Sequence, residues 1–204
     1  ENIGIILIGL GLYSIFTVFG YKALAVLGIA AALFHTLNHA LFKSLLFLTA
    51  GSVVNATHTK NIEEMGGLMK RMPYTAVLFL IGAISISALP PFNGFVSELM
   101  IFQVFFQSYL IPSPFIESIL FISLSLLAMT SALAAACFVK AFSAVFAAAP
   151  RSEEAAHAKE APFSMIAGPA ILAILCAFLG IFSFQIFSFI GKRIGYSFPI
   201  PNLL

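Results

Sequence analysis

The 204-residue chain is 61% hydrophobic and only 9% charged, with a formal net charge of +2 and a mean hydropathy of +1.06. Soluble domains carry roughly a quarter of their residues as charges, so this composition marks an integral membrane protein. The slight positive balance, with no basic run and no Gly-rich phosphate loop, points away from nucleic acid as a partner.

A spanning helix needs about 20 apolar residues at about 1.5 Å rise each. Residues 3–19 and about 26–54 meet that need, separated by Gly20, Tyr21 and Lys22. The opening "ENIGIILIGLGLYSIFTVFG" has no initiator Met, charged n-region or cleavage site, so it is not a signal peptide. It begins almost inside an apolar run, and the chain is read as a fragment of a longer membrane protein. Gly4, Gly9 and Gly11 suit close helix packing.

The polar link "ATHTKNIEEMGGLMKRMP" follows, with a turn at Gly66–Gly67 and Pro73 opening the next helix. Residues 74–89 form a third span, closed by "LPPFNGF". The segment 92–148 contains the breaker "IPSPF" at 111–115. It is either one discontinuous span broken there or two complete spans. Pieces of about 18 and 32 residues come to roughly 75 Å of helix, which by length alone favours two. The link "PRSEEAAHAKEAP" at 150–162 is solvent-exposed, and a last span over 163–191 ends at Lys192 and Arg193.

The expected fold is therefore all-α and polytopic, a single transmembrane domain over 1–204 with five to six spans. Lipid offers the backbone no hydrogen-bond partner, and no closed-barrel pattern is present. An odd count puts Lys60, Lys70, Arg71, Arg151 and Lys159 on one side and Lys22, Lys192 and Arg193 on the other, too even a split for the positive-inside rule. Cys137 and Cys176 are read as small apolar side chains. With no CxxC pair and no haem, flavin or nucleotide motif, no cofactor and no metal are expected in this chain.

Most charges lie in links or at span ends; Lys43, Glu98 and Lys140 do not. In "LFHTLNHALFKSLLFLTAGSV" the titratable residues His35, His39 and Lys43 are spaced four apart. Positions four apart on a helix are offset by about 40° and 6 Å, so the three form a ladder about 12 Å long, with Thr36, Asn38 and Thr49 nearby. Histidine exchanges protons at cellular pH. Burial penalises the charged form of lysine, and each pKa unit is worth about 1.4 kcal/mol, so a moving neighbouring charge can switch such a group between loading and release. The plain alternative is a snorkelling lysine and histidines bonded to carbonyls. Against it stands the cost of about 2.5–3.5 kcal/mol for a central lysine.

Glu98 follows "PPFNGFVS" in an otherwise apolar stretch and suits a proton site paired with a lysine elsewhere; the alternative is a helix N-terminal carboxylate facing headgroups. Lys140, in "AACFVKAF", lies near a polar link where snorkelling is realistic.

Taken in order, "FHTLNHALFKSLLFLTAGSVVNAT", "IEEMGGLMKRMP" and "ALPPFNGFVSELMIFQ" resemble the proton-conducting antiporter-like subunits of respiratory NADH:quinone oxidoreductase and the multisubunit Na⁺/H⁺ antiporters. The segments "ENIGIILIGLG" and "CFVKAFSAVF…PRSEEAAHAKEAP" resemble most closely the hydrogenase-4 and formate-hydrogenlyase membrane-subunit branch. The resemblance implies a fold of two inverted five-helix repeats, each with a broken helix, of which this chain is the second. It implies that His35, His39 and Lys43 lie on a central hydrophilic axis, that Glu98 lies on the broken helix at an exit half-channel, and that Lys140 occupies an often basic position. It further implies proton translocation in a redox-driven complex of hydrogenase or NADH dehydrogenase type. The expected partners are other membrane subunits, a peripheral redox module, the lipid bilayer and protons, with Na⁺ as the alternative ion. The expected setting is the bacterial inner membrane. A secondary cation/proton antiporter subunit and a structural membrane anchor are the alternatives.

Overall fold

The computed structural model describes residues 1–194, and side chains through 188. Its helices are α1 (Asn2–Val18), α2 (Lys22–Thr57), α3 (Pro73–Ile86), α4 (Asn93–Phe105), α5 (Pro114–Phe146), α6 (Glu153–His157), α7 (Phe163–Ile181) and α8 (Ser183–Ile194). Among the described residues there is no strand. Helices α2, α5 and α7 are long and apolar enough to cross a membrane, and α1 and α3 are shorter apolar helices.

Helices α1 and α2 form an antiparallel hairpin closed at Gly20, whose φ of +81° is cheap only without a Cβ. Small residues let their backbones approach. A Cβ on Gly9 would stand 2.8 Å from Ala32 Cβ, and one on Gly28 would stand 3.2 Å from Gly9 O. Gly4 and Gly11, also expected at helix contacts, have nothing within 4 Å of that position. Of the three, only Gly9 is a packing glycine.

Hydrogen bonds fix which ends lie together. Tyr21 Oη donates to Leu110 O at 2.8 Å, joining the α1–α2 turn to the 106–113 loop. At the opposite end Gly67 N–H donates to Ala147 O at 2.8 Å, and Arg151 donates to Glu63 O at 3.1 Å and Ile62 O at 3.0 Å. The two polar links are thus neighbours, which puts Lys60, Lys70, Arg71, Arg151 and Lys159 at one end of the bundle. In the first link the Thr59 hydroxyl and the Asn61 amide donate to Glu64, and these bonds hold its carboxyl below the usual carboxylate range.

This connectivity relocates the interruption. Between the two ends α2 runs one way in one piece and α5 in one piece, with 36 and 33 residues. The path from the links to the 106–113 loop is made by α3 and α4 in succession, with 14 and 13 residues. Each is only about 20 Å long. The segment 92–148 is therefore not one span broken at 111–115: α5 is a full-length helix, and the two-piece element is α3–α4, interrupted at 87–92. Pro112 lies in the loop and Pro114 in the first turn of α5, where a missing N–H is harmless. Pro90 and Pro91 remove donors in mid-bundle, where a helix cannot continue through them. The expected span 163–191 is likewise two helices, with Gly180 seated against the Pro91–Asn93 backbone, where any Cβ would collide. Phe187 of α8 then meets Phe34 of α2, ring centroids 5.0 Å apart. The side chains of Lys192 and Arg193 lie outside those described.

Glu160 of the second link caps α3. Its carboxylate accepts from Tyr74 N–H at 2.8 Å and from the Thr75 hydroxyl at 2.6 Å, satisfying donors that a helix start leaves open. Glu160→Ala is expected to cost about 1 kcal/mol of local stability, the usual worth of a cap. Amide exchange at Tyr74 and Thr75 should accelerate roughly fivefold; unchanged exchange there would remove Glu160 as the cap.

Candidate functional site

The interruption sits at the mid-height of α2, and polar side chains converge on it. Asn38 and Asn93 form an amide pair: Asn38 Nδ2 donates to Asn93 O at 2.9 Å, and Asn93 Nδ2 donates to Asn38 Oδ1 at 3.1 Å. Both are fully buried, so each amide donor is met by the other residue and the pair ties α2 to the start of α4. Gly94 is required here, because any Cβ would collide with Ser85 O. The Cys176 thiol of α7 lies beside Ser85 and Asn93.

One turn from this pair, His35 is 1% exposed and bonded through both ring nitrogens. Nδ1 lies 2.8 Å from Ser97 Oγ on α4, and Nε2 lies 3.2 Å from Asn2 Oδ1 on α1. Asn38 Nδ2 also reaches Ser97 Oγ at 3.2 Å. The next residue, Glu98, is 4% exposed and accepts from Ser131 Oγ of α5 at 2.8 Å. Glu98 and Ser131 line a cleft of about 270 Å³ between the interruption and α5, together with Ser87, Leu89 and Phe102. Glu98 is thus covered by its neighbours, on the α4 side of the cleft. The expected cation partner is not beside it: among the described residues the one ion pair is His157–Glu153, 3.5 Å apart in the second link.

The ladder is partly wound off this site. Buried positions of α2 follow 35, 38, 42, 45, 49, 52, in steps of three and four. His35, His39 and Lys43 advance by four only, so each step turns about 40° further round the helix. His39 is half-buried with its ring centroid 5.6 Å from that of Phe42. Lys43, also half-buried, has Nζ 5.2 Å from the Phe47 ring centroid. Lys140 is exposed on α5 and is not brought to the others. Thr36 and Thr49 bond their own helix, to Ala32 O and Leu45 O at 2.8 Å each, and take no part in the cluster.

Ser97, Ser131, Asn2 and Asn93 belong to the cluster and were not among the expected site residues. An amide such as Asn93 beside a double proline is a readable signal for interhelical bonding. Ser131 is not, because Ser118, Ser123 and Ser125 of the same helix look alike in sequence and bond only their own helix. Among the described residues no three His, Cys, Asp or Glu side chains are grouped as metal ligands. Cys137 is exposed and Cys176 is buried, and both are free.

Residues 13–125, just over half the chain, match the family described as NADH:quinone oxidoreductase/Mrp antiporter, transmembrane. The chain belongs to that family. It is 44% identical over 181 residues to hydrogenase-4 component B of Escherichia coli (strain K12), an alignment covering 89% of this chain and 27% of that protein. Formate hydrogenlyase subunit 3 of the same strain is 43% identical over 182 residues, covering 89% of this chain and 30% of that one. The chain thus spans less than a third of these curated relatives. In fold it is similar to a chain of the Mrp complex from Dietzia sp. DQ12-45-1b, with a TM-score of 0.73 at 20% identity, covering 91% of this chain and 38% of that one. As a member of the NADH:quinone oxidoreductase/Mrp antiporter family, it is an all-α membrane chain whose relatives include subunits of hydrogenase and antiporter complexes.

Proposed function

We propose that this chain is part of a proton-translocating subunit in a redox-driven membrane complex of the hydrogenase or NADH dehydrogenase type. The observation that carries this reading is the pair of buried titratable groups beside an interrupted element: His35, bonded to Ser97 of α4, and Glu98, the next residue of α4, bonded to Ser131 of α5. A membrane interior holds such groups only at a cost, and they mark ion pathways by default. The ladder crosses the level of the interruption, with Lys43 and His39 on the link side and His35 and Glu98 on the other. Protons pass from Lys43 to His39 and His35 and then to Glu98, which faces the cleft toward α5. Lys140, exposed near the end of α5, serves at the periphery of the path.

The drive is electrostatic. Redox energy released in a peripheral module alters charge pairing along the axis, and the subunit converts that into proton release at one face. The field sets the scale: one charge across 100 mV is worth about 2.3 kcal/mol, close to a two-unit change in pKa. Five crossings are proposed: α1, α2, α3–α4, α5 and α7–α8, forming the second inverted repeat in a bacterial inner membrane. Other membrane subunits cover part of its exposed apolar surface and lipid the rest, and the redox cofactors reside in other chains.

A second reading, a Na⁺/H⁺ antiporter subunit, is favoured by the family match, whose description names the Mrp antiporter. The intact complex in proteoliposomes decides between them. Proton uptake that follows redox turnover and ignores Na⁺ is expected. Uptake that requires a Na⁺ gradient without turnover would establish the antiporter, and turnover with no proton uptake would leave a structural anchor.

A further inference from the structure

We propose that Ser97 and Ser131 are hydroxyl rotors that keep His35 and Glu98 hydrogen-bonded in both of their protonation states. This rests on the proton-translocating reading above and assigns positioning residues to it. The two serines share one geometry on different helices. Ser97 Oγ lies 2.8 Å from His35 Nδ1 and 3.0 Å from Gly94 O of its own helix. Ser131 Oγ lies 2.8 Å from Glu98 Oε2 and 3.1 Å from Leu127 O of its own helix. A hydroxyl has one hydrogen and two lone pairs, so it donates to one of its two neighbours at a time.

With His35 neutral and its hydrogen on Nε2, facing Asn2 Oδ1, Nδ1 needs a donor and the Ser97 O–H supplies it. When His35 takes a second proton, Nδ1–H donates to Ser97 Oγ and the hydroxyl turns to Gly94 O. Asn38 Nδ2 donates to Ser97 Oγ in either case, holding the oxygen in place. Ionised Glu98 accepts the Ser131 O–H. Protonated on Oε2, it donates to Ser131 Oγ, whose hydrogen turns to Leu127 O. Each rotation spares a buried site the unpaired donor or acceptor that one of its two states would otherwise carry, so loading and unloading stay close in free energy.

The titratable groups around the pair, among the described residues, come from several elements. On α2 they are His39 one turn from His35 and Lys43 beyond it; just before α1, Glu1; on α7, Cys176. Helix α3 adds only Tyr74 at its first turn, and α5 adds Glu117, Cys137 and Lys140 away from Ser131.

The test uses the full-length chain in its intact complex, with assembly quantified in the membrane and proton translocation followed against pH. Ser97→Ala and Ser131→Ala are expected to slow translocation by about tenfold per assembled complex, the scale of one unpaired buried group. The pH of half-maximal rate should move by on the order of one unit. Ser→Thr at either site should restore both. Ser→Cys, a weak donor of similar size, should fall between and serves where Thr does not assemble. Ser125→Ala, which removes a hydroxyl bonded only to its own helix, is the control and should behave as wild type. Wild-type rate and pH profile in the assembled Ala variants would overturn the rotors, as would Ala, Cys and Thr variants slowed equally with an unmoved profile. If Glu98→Gln stops translocation while the serine variants do not, only the rotors fall. If Lys43→Met and Glu98→Gln also pump normally, the proton-translocating reading itself falls.

Discussion

Replacing Lys43 by Met is expected to reduce proton translocation by about a hundredfold or more, within the range of a positioned proton-transfer group, while the complex assembles and its redox turnover loses coupling. Met keeps the apolar stem beside Phe47 and removes only the ammonium, whose Nζ lies 5.2 Å from that ring centroid. Position 43 is off the buried stripe of α2, so the packing of Phe42, Leu45 and Leu46 is untouched. The measurement is proton uptake by proteoliposomes at matched redox rate. Near-normal uptake would remove Lys43 as a loading site and leave the half-buried lysine a snorkelling one.

Glu98→Gln is expected to give the second large effect, a loss of at least about tenfold, with Glu98→Asp between it and wild type. Glutamine retains an oxygen able to accept from Ser131 and fills the same volume, so the 2.8 Å contact survives and only the titratable proton is lost. Aspartate keeps the proton chemistry but is one methylene short of Ser131. The order wild type, Asp, Gln therefore separates proton chemistry from packing. Asp more damaging than Gln would mean that the side chain acts by filling space between α4 and α5.

Much of the architecture was legible without coordinates. Composition and run lengths suffice for an all-α membrane chain, because lipid forbids other backbone arrangements. Placing the interruption was harder. Two proline pairs, 90–91 and 112 with 114, look equivalent as local breakers. Which of them interrupts an element and which merely joins two depends on the neighbours that each end meets, and those are set by bonds such as Tyr21–Leu110 and Gly67–Ala147. The titratable residues stood out as charges in an apolar setting, but a spacing of four says nothing about where the buried face runs. His35 lies on that face, while His39 and Lys43 turn progressively off it. The serines were hidden because a hydroxyl on a lipid-facing helix and one aimed at a carboxylate are the same letter.

The stapling of the bundle at both ends bears on how work is done in this unit. A lengthwise shift of α5 by one turn, about 5.4 Å, would tear Gly67 from Ala147 and pull Arg151 away from Ile62 and Glu63. It would also drag Ser131 past Glu98. A piston stroke of α5 therefore has to break these bonds at the link end. Under the proton-translocating reading, the changes this frame leaves room for are local ones: hydroxyls that swivel and protons that hop at the central interruption.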